Sequence, residues 1–380
     1  MRSHSLPPAI HADAALWARA KRVLCVRLDA LGDVLMTTPA LRALKHAVPG
    51  RELTLLTSSA GAAAARHLRD VDHVLIYDHA PWMKHGRSPT VAATQSITET
   101  LRAENFDAAV VFSVYSQSAL PAAMLCWQAG IPLRLAYARE NPYHLLTDWE
   151  PEREPATLLR HEVQRQLDLV ASIGAHTTHT RMDFRLHAQD DAQAMRVLRD
   201  AGVHVAHEWI VVHPGASAAS RRYPIEHYAA ALQRLSQSDD RQMLITGGPD
   251  EIALVQALAL QVPGATALAS ALRIGELGCV IARAALLISN NTGPAHIAAA
   301  LGTPVVDLYA LTNPQHTPWQ VPHRVLSNDV PCRYCYLSAC VEGHHACLRG
   351  VPPERVAEAA LDLLRETQRV STAGFVEATQ

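Results

Sequence analysis

Short apolar runs alternate with longer amphipathic stretches along the chain, and each apolar run ends in a turn rich in polar residues or glycine. The runs of the first half are VLCVRL at 23–28, ELTLLT at 52–57, HVLIY at 73–77 and AAVVF at 108–112. The second half repeats the pattern with WIVVH at 209–213, QMLIT at 242–246 and LLIS at 286–289. Strands that alternate with helices at this spacing predict the parallel, doubly wound sheets of an α/β protein.

The length of 380 residues is enough for two domains, each with its own hydrophobic core. We predict two doubly wound, Rossmann-like domains that face each other across a cleft. The first spans residues 1–190, the second spans 191–350, and a terminal helix within 351–380 packs back across the seam. Ligands of such sheets gather at the carboxyl ends of the strands, so the turns after the apolar runs are the candidate sites.

The turn after the run at 286–289 has several features of an anion site. Asn290, Asn291 and Thr292 are all good N-cap residues, and Gly293-Pro294 suits a tight turn into a first helical turn. The alanine-rich stretch that follows predicts a short buried helix, whose first N–H groups and dipole favour a phosphate-bearing ligand. His296 on this helix is either a satisfied buried histidine or a ligand contact, and the sequence leaves both readings open.

The turn after the first strand carries two carboxylates, Asp29 and Asp33, beside Gly32. An aspartate at a helix N-terminus is held ionised by the dipole and nearby N–H groups. If it faces a cleft, it can accept a proton from an attacking hydroxyl. The competing interpretation is that Asp33 only caps the helix, and on this segment alone the cap is favoured. The G-x-G-x-x-G fingerprint of dinucleotide-binding proteins is absent.

Two further turns suit a nucleotide. The turn 214–224 combines small residues with Ser217, Arg221 and Arg222, so a diphosphate could approach its backbone and meet a guanidinium group. The turn 247–251 has two glycines followed by Asp250 and Glu251, either of which could accept hydrogen bonds from a ribose. The competing interpretations are a solvated arginine pair and a plain tight turn.

Composition narrows the class of protein. The formal net charge of −2 gives no indication of nucleic-acid binding. The N-terminus lacks the apolar core of a signal peptide, and no stretch reaches about 18 uncharged apolar residues. We therefore expect a cytoplasmic protein, with peripheral contact at the inner face of the inner membrane left open. The loop 79–90, with Trp82, Met83 and two cations, is either a plain connection or a flap for an anionic, amphipathic acceptor.

Four of the seven cysteines lie within sixteen residues, with His344 and His345 between the last two. They are Cys332, Cys335, Cys340 and Cys347. The spacing suits a tetrahedral thiolate site for zinc or iron, although it is not a standard zinc-finger pattern. The alternative is that reduced cysteines pack an irregular loop. A metal here would have a structural role.

Taken together, these segments resemble one family. The matching positions are Arg27-x-x-x-x-Gly32-Asp33-Val34 with Thr38-Pro39-Ala40-Leu41, His213-Pro214-Gly215, Asn290-Asn291-Thr292-Gly293-Pro294-x-His296, and Leu301-Gly302-Thr303-Pro304. They are similar to the lipopolysaccharide heptosyltransferases of glycosyltransferase family 9. The resemblance covers residues 21–364, and its specificity lies in the combination of the pieces.

The resemblance implies a GT-B fold and an inverting, metal-independent glycosyl transfer that requires no cofactor. The first domain would bind a lipopolysaccharide-core acceptor and carry the catalytic base, and the second would bind ADP-heptose. By this resemblance Asp33 is the base, with Gly32 beside it and Arg27 near the acceptor and donor sugar. Ser217 with Arg221 or Arg222 forms the phosphate-binding turn, and residues 291–296 hold the diphosphate and sugar.

Three positions depart from the family's pattern. Asn291 stands where some members carry Asp, Asp29 where Ser is frequent, and Arg221 where Lys is common. Asp29 could therefore share the role of the base, and either arginine could meet the phosphate. The alternatives are the same fold with another nucleotide-activated sugar, a protein or other glycan acceptor, or a nucleotide-sugar-binding protein without catalysis.

Overall fold

The four apolar runs of the first half, together with two further strands, form a six-stranded parallel sheet in a computed structural model that describes residues 9–84 and 86–377. The strands are β1 (Arg22–Arg27), β2 (Glu52–Thr57), β3 (His73–Ile76), β4 (Ala108–Val111), β5 (Leu133–Ala138) and β6 (Asp148–Pro151). Their order is β3-β2-β1-β4-β5-β6. Chain connections leave β1 and β4 in opposite directions, so the switch point of the sheet lies between these two strands.

Six α-helices accompany this sheet in the described residues. They are α1 (Ala14–Arg19), α2 (Leu31–Ala47), α3 (Ser59–Ala62), α4 (Val91–Ala103), α5 (Leu120–Gln128) and α6 (Glu162–Ala171). Apart from Arg22 at the start of β1, strands β1 and β4 are buried throughout because helices cover both faces of the sheet, which is why they appear as continuous apolar runs.

The second half repeats the same topology. Its strands are β7 (Trp209–His213), β8 (Gln242–Gly247), β9 (Thr266–Ala269), β10 (Leu286–Asn290), β11 (Val305–Leu308) and β12 (His323–Leu326). They lie in the order β12-β11-β10-β7-β8-β9, with all neighbours parallel. The switch point is between β7 and β10. The prediction of an α/β protein with two doubly wound, Rossmann-like domains is confirmed.

Seven α-helices belong to the part of this half that the structure describes. They are α7 (Ala188–Asp200), α8 (Ile225–Ser236), α9 (Ile252–Gln261), α10 (Ile274–Ala282), α11 (Gly293–Leu301), α12 (Ala346–Arg349) and α13 (Pro353–Glu377). Helix α13 packs its apolar face on α8 and β12, and Val356, Ala360 and Leu363 are part of the core under the second sheet. The predicted packing of this helix across the domain seam stays a prediction.

The chain divides into two compact units, residues 1–185 and 186–380. The predicted boundary at residue 190 would cut through α7, which lies wholly in the second unit. Residues 1–8 and 378–380 of the predicted domains, and His85 of the predicted flap, lie outside the described residues.

Two segments differ from what their own residues indicate. The prolines and charges of the stretch 143–157 are typical of a loop, but it contains the edge strand β6, where a proline is tolerated. The outer edge of β6 pairs with Ile10 through an antiparallel bridge at Trp149. The alternating apolar residues of the stretch 182–186 indicate a strand, but the stretch forms none. Its backbone follows α2 instead, where Asp183 N–H donates to the Thr38 hydroxyl at 2.9 Å.

Candidate active site

The last residue of β1 is an arginine that is completely buried among three carboxylates. Arg27 Nε lies 3.0 Å from Asp29 Oδ2, its Nη2 lies 3.1 Å from Asp33 Oδ1, and its Nη1 donates to Glu162 Oε1 at 2.8 Å. Burial alone would lower the pKa of the guanidinium, but the three carboxylates raise it well above its ordinary value. Arg27 is thus a fixed cation that orients two aspartates at the switch point of the first sheet.

Asp33 takes part in capping α2 and is also the candidate base. Helix α2 begins at Leu31, which places Asp33 in the third helical position. Its Oδ2 accepts the Ala30 N–H at 3.2 Å, and its Oδ1 faces Arg27. Both contacts favour the ionised carboxylate, while 19% of the side chain stays exposed. The capping interpretation and the functional one are therefore compatible.

Asp29 is the second carboxylate at this turn. Its Oδ1 accepts a hydrogen bond from Gln117 Nε2 at 2.8 Å. Burial raises the pKa of Asp29 to about 6, with Asp33 and Glu162 contributing in the same direction, while Arg27 and Gln117 oppose the shift. Asp29 consequently holds a proton more readily than an ordinary aspartate does.

Glu162, the first residue of α6, is a member of this cluster that the sequence does not reveal. Its side chain is fully buried, and its Oε1 accepts from both Arg27 and Gln166. Glu162 reads as an ordinary acidic residue of a first helical turn. Only the fold brings it to Arg27 from 135 positions away.

A cavity of about 310 Å³ opens beside Asp29 at the carboxyl ends of β1 and β4. Asp29 and Gln117 line one part of it, and Trp82 and Met83 line another. Both of these apolar side chains pack against the core of the first unit. The 79–90 loop therefore contributes to a pocket of mixed polar and apolar character, which agrees with its reading as an acceptor-binding segment.

At the switch point of the second sheet, α11 begins directly after β10. Thr292 is the N-cap residue, but its hydroxyl does not cap the helix and has no hydrogen-bond partner among the described residues. Gly293 and Pro294 form the first turn, and proline has no N–H to satisfy. His296 is buried one turn later. A helix start of this kind can bind an anion through its first N–H groups, and its predicted role in binding a phosphate stays a prediction.

Two neighbouring asparagines fix the turns around this helix. Asn290 Nδ2 donates to the carbonyls of Pro214 and Gly215, at 2.7 and 3.3 Å, and its Oδ1 accepts the Tyr223 N–H at 3.1 Å. Asn290 therefore holds both ends of the turn after β7. This structural role explains one asparagine of the pair without any ligand.

Asn291 uses its amide nitrogen twice, donating to Asp307 Oδ2 at 3.0 Å and to the His316 carbonyl at 2.7 Å. Its side-chain oxygen is consequently the group left to accept a hydrogen bond. Burial raises the pKa of Asp307 to about 7, although Asn291 and the charge of Arg221 oppose the shift. Asn291 thus offers an acceptor oxygen, as an aspartate would, but without the negative charge.

The two arginines after β7 differ in their surroundings. Arg222 is exposed, and its Nε donates back to the Ala216 carbonyl at 2.8 Å, so it closes its own turn. Arg221 is half-buried in a 3₁₀ turn, Ala219–Arg221, and its charge reaches Asp307 at the end of β11. Ser217 is exposed and lies just before this 3₁₀ turn. Of the two arginines, Arg221 is the one directed towards the strand ends.

Of the two acids that the sequence offers in the glycine turn after β8, Glu251 is the one that points inward. Asp250 is exposed, whereas Glu251 Oε2 accepts the Gly248 N–H at 2.9 Å. A Cβ on Gly215 would lie 1.8 Å from Glu251 Oε1, so any residue other than glycine at this position would collide with the carboxylate. Burial lowers the pKa of His213, which lies 3.6 Å from Glu251, and that carboxylate opposes the shift.

Cys332, Cys335, Cys340 and Cys347 line one small cavity together with His344 and His345. All four thiols are reduced and half-buried. Within residues 9–84 and 86–377, however, no three histidine, cysteine or acidic side chains are arranged to hold a metal ion. The other three cysteines, Cys25, Cys126 and Cys279, are buried, as their apolar context predicts.

Two six-stranded parallel units, each with a polar turn at its switch point, define the GT-B class of nucleotide-sugar-dependent enzymes. Comparison with known proteins identifies the family. Residues 94–346 match the profile of glycosyltransferase family 9 (heptosyltransferase), and the chain belongs to this family. The protein is accordingly a glycosyltransferase.

Individual relatives agree with this assignment. The chain is 28% identical over 306 residues to lipopolysaccharide heptosyltransferase 1 of Escherichia coli K12, covering 77% of this chain and 89% of the relative. The structure of the E. coli ADP-heptose lipopolysaccharide heptosyltransferase II superposes with a TM-score of 0.70 at 20% identity, over 91% and 99% of the two chains.

A more distant structure is the iron-containing dodecameric heptosyltransferase TibC of enterotoxigenic E. coli, solved in complex with ADP-D-β-D-heptose. It superposes with a TM-score of 0.51 at 12% identity, over 92% of this chain and 77% of that one. At this identity the similarity establishes the fold alone. Within the described residues, no helix has the length and apolar character needed to span a bilayer.

Proposed function

We propose that the protein transfers a heptose from ADP-heptose to a hydroxyl of a lipopolysaccharide-core acceptor, with inversion at the anomeric carbon. The observation that carries this proposal is the pair of switch points, with an oriented carboxylate at one and a helix N-terminus at the other. Membership of the heptosyltransferase family supports the donor and acceptor. The relatives' names describe those proteins as lipopolysaccharide heptosyltransferases, and one of the names includes ADP-heptose.

In this mechanism Asp33 removes the proton from the acceptor hydroxyl, and the oxygen attacks the anomeric carbon as the bond to the β-phosphate breaks. Arg27 keeps Asp33 oriented and ionised before the proton moves. The charge that develops on the departing ADP is stabilised by the start of α11 and by Arg221, so no divalent metal is needed. Asn291 Oδ1 accepts a hydrogen bond from a hydroxyl of the donor sugar.

The function is tested by mass spectrometry of products formed from purified ADP-heptose and a heptose-deficient lipopolysaccharide core. We expect an adduct one heptose heavier, together with release of ADP. A donor screen that instead yields turnover only with another nucleotide sugar would refute the heptose assignment. Binding of ADP-heptose without any transfer would support the alternative of a non-catalytic binding protein.

The base is assigned by comparing Asp33→Asn with Asp29→Asn. We expect Asp33→Asn to lower kcat by about 100-fold or more while ADP binding is retained, because a general base typically contributes that much. Asp29→Asn should retain substantially more activity. The opposite ranking would transfer the role of base to Asp29.

A structural zinc or iron ion at the four clustered cysteines remains part of the proposal. Their common cavity supports it, whereas the present arrangement of the thiols, with no three of them around one point, favours reduced cysteines packing a loop. Elemental analysis of the purified protein and of a Cys335→Ser/Cys340→Ser variant decides between the two. A stoichiometric metal that the variant loses would establish the ion.

We also propose a cytoplasmic location, with peripheral contact at the inner face of the inner membrane, because a lipopolysaccharide-core acceptor is anchored in lipid. Fractionation of cells should leave the protein partly with membranes at low salt. Complete recovery in the soluble fraction at every ionic strength would contradict the membrane contact.

A further inference from the structure

The cysteine-rich segment, residues 332–347, contacts both turns that surround the start of α11. Ser220 belongs to the 3₁₀ turn that carries Arg221, and its hydroxyl donates to the Leu337 carbonyl at 2.7 Å. The Ser220 N–H donates to the Ser338 carbonyl at 3.1 Å. Ser220 is only 4% exposed, so these two bonds replace any contact with solvent.

The same segment also holds the turn after β11. The N–H groups of Tyr334 and Tyr336 donate to the carbonyls of Leu311 and Thr312. The thiol of Cys347 lies against the Leu311 backbone, which opposes the rise in its pKa caused by burial. The turn after β11 leads into the loop whose His316 carbonyl accepts from Asn291. One segment therefore joins the turn of Arg221 to the loop that orients Asn291.

The backbone of this segment adopts conformations that its own residues do not favour. Tyr334, Tyr336 and His345 have φ values of 62°, 55° and 48°, in the left-handed region that bulky residues rarely adopt. Such conformations persist only where surrounding contacts determine them. Here those contacts are the bonds to the two turns and the packing of the four thiols around one cavity.

We propose that Ser220 is a positioning residue for the transfer reaction, and that the cysteine-rich segment is the element through which it acts. The segment fixes Ser220, and Ser220 fixes the neighbouring Arg221 where the departing diphosphate is stabilised. Loosening the segment weakens binding of the nucleotide diphosphate. This inference rests on the proposed function, because it assigns the diphosphate to the turn of Arg221.

The first test is Ser220→Ala in the full chain, with ADP as the probe. Loss of one buried hydrogen bond predicts ADP binding weakened by roughly 2- to 10-fold. It also predicts a higher KM for the donor with a much smaller change in kcat. Ser236→Ala is the matched control, because the exposed Ser236 hydroxyl also donates to a backbone carbonyl, that of Gln233 at 2.9 Å. We expect this variant to bind ADP like the wild type.

The second test uses thermodynamic reciprocity. If the segment stabilises the ADP-bound turn, bound ADP must stabilise the segment and slow alkylation of its thiols by N-ethylmaleimide. Mass spectrometry of peptides reports each cysteine separately. The buried Cys25 and Cys126 are internal controls, because burial raises the pKa of each thiol to about 12 and makes both unreactive. We expect slower modification within residues 332–347 and no change elsewhere.

The outcomes separate the two proposals. Normal ADP affinity in Ser220→Ala, together with alkylation rates that ADP does not change, would overturn the positioning role and leave the proposed function intact. A wild-type protein that does not bind ADP would overturn both. A Ser220→Ala variant that loses stability but keeps its ADP affinity would show that the serine is only structural.

Discussion

At the residue scale, the charged side chains of the first switch point form one cluster around a buried arginine. Arg27 forms ion pairs with Asp29, Asp33 and Glu162 at the same time. Without this cation, burying each carboxylate would cost free energy of folding. The sequence predicts two of the three acids because they lie within six positions of Arg27. The sequence does not predict Glu162 as a member of the cluster, because its partner Arg27 is distant in sequence and no local pattern links the two residues.

Removing Glu162 should disturb both stability and catalysis. Glu162→Ala leaves part of a buried guanidinium unpaired, which typically costs about 3–5 kcal/mol of unfolding free energy. Glu162→Gln keeps an acceptor oxygen and should lose less. We expect kcat to follow the same order, because Arg27 aligns Asp33. Unfolding by urea and steady-state kinetics measure the two effects.

The control for this comparison is an exposed ion pair of the same unit. Glu104 lies 2.6 Å from Arg22, and both side chains are 44% exposed. Glu104→Ala should change the unfolding free energy by less than about 1 kcal/mol. A similar loss in both alanine variants would contradict the importance we give to the burial of Glu162.

The raised pKa of Asp307 should make the stability of the folded protein depend on pH. Burial raises its pKa to about 7 from 3.8, so the folded protein keeps the proton at pH values where the unfolded chain has lost it. Its contribution is fully present at low pH and is lost as the pH rises through about 7. Between pH 5 and 8 the unfolding free energy of the wild type should fall by about 2–3 kcal/mol more than that of Asp307→Asn.

Asparagine is the appropriate replacement because Asn291 needs only an acceptor oxygen at this position. Urea unfolding of both proteins at pH 5 and pH 8 gives the comparison, and groups such as Asp29 cancel in the difference. Equal losses in the two proteins would show that Asp307 ionises normally in the folded state.

At the scale of elements, the strands and most helices were predictable because periodicity, caps and glycines agree with one another. The run that became β10 and the helix start at Gly293 fell where their residues indicate. Strand β6 was missed because an edge strand tolerates the prolines and charges that normally indicate a loop. Which carboxylate of the glycine turn points inward was equally unpredictable, since it depends on the space above Gly215.

The close approach of α3 to the turn of Asp29 and Asp33 depends on Gly61. A Cβ there would lie 2.1 Å from Thr57 Oγ1, 2.9 Å from Val34 and 3.2 Å from the Asp29 carbonyl. Gly61→Ala should therefore displace α3 from the turn, lower stability by roughly 1–3 kcal/mol as overpacking does, and reduce kcat. Ala63→Ser, at an exposed position beside the same helix, is the control. Wild-type activity in Gly61→Ala would show that the turn tolerates the shift.

At the scale of the whole molecule, each unit has its own core. The cluster under the first sheet is drawn from residues 24–149, and the cluster under the second from residues 210–364. The turns assigned to the nucleotide all belong to the second unit, and the assigned base belongs to the first. Nucleotide binding and transfer should consequently be separable in fragments.

A fragment of residues 186–380 should fold alone and bind ADP, but it should transfer no sugar because it lacks Asp33. At an ADP concentration of about 100 Kd, binding contributes about 2.7 kcal/mol and should raise the Tm of a domain of this size by about 5–10 °C. Calorimetry of the fragment with and without ADP measures this shift, and the full chain is the reference. A folded fragment without ADP affinity, beside a full chain that binds ADP, would mean that the first unit also holds the nucleotide.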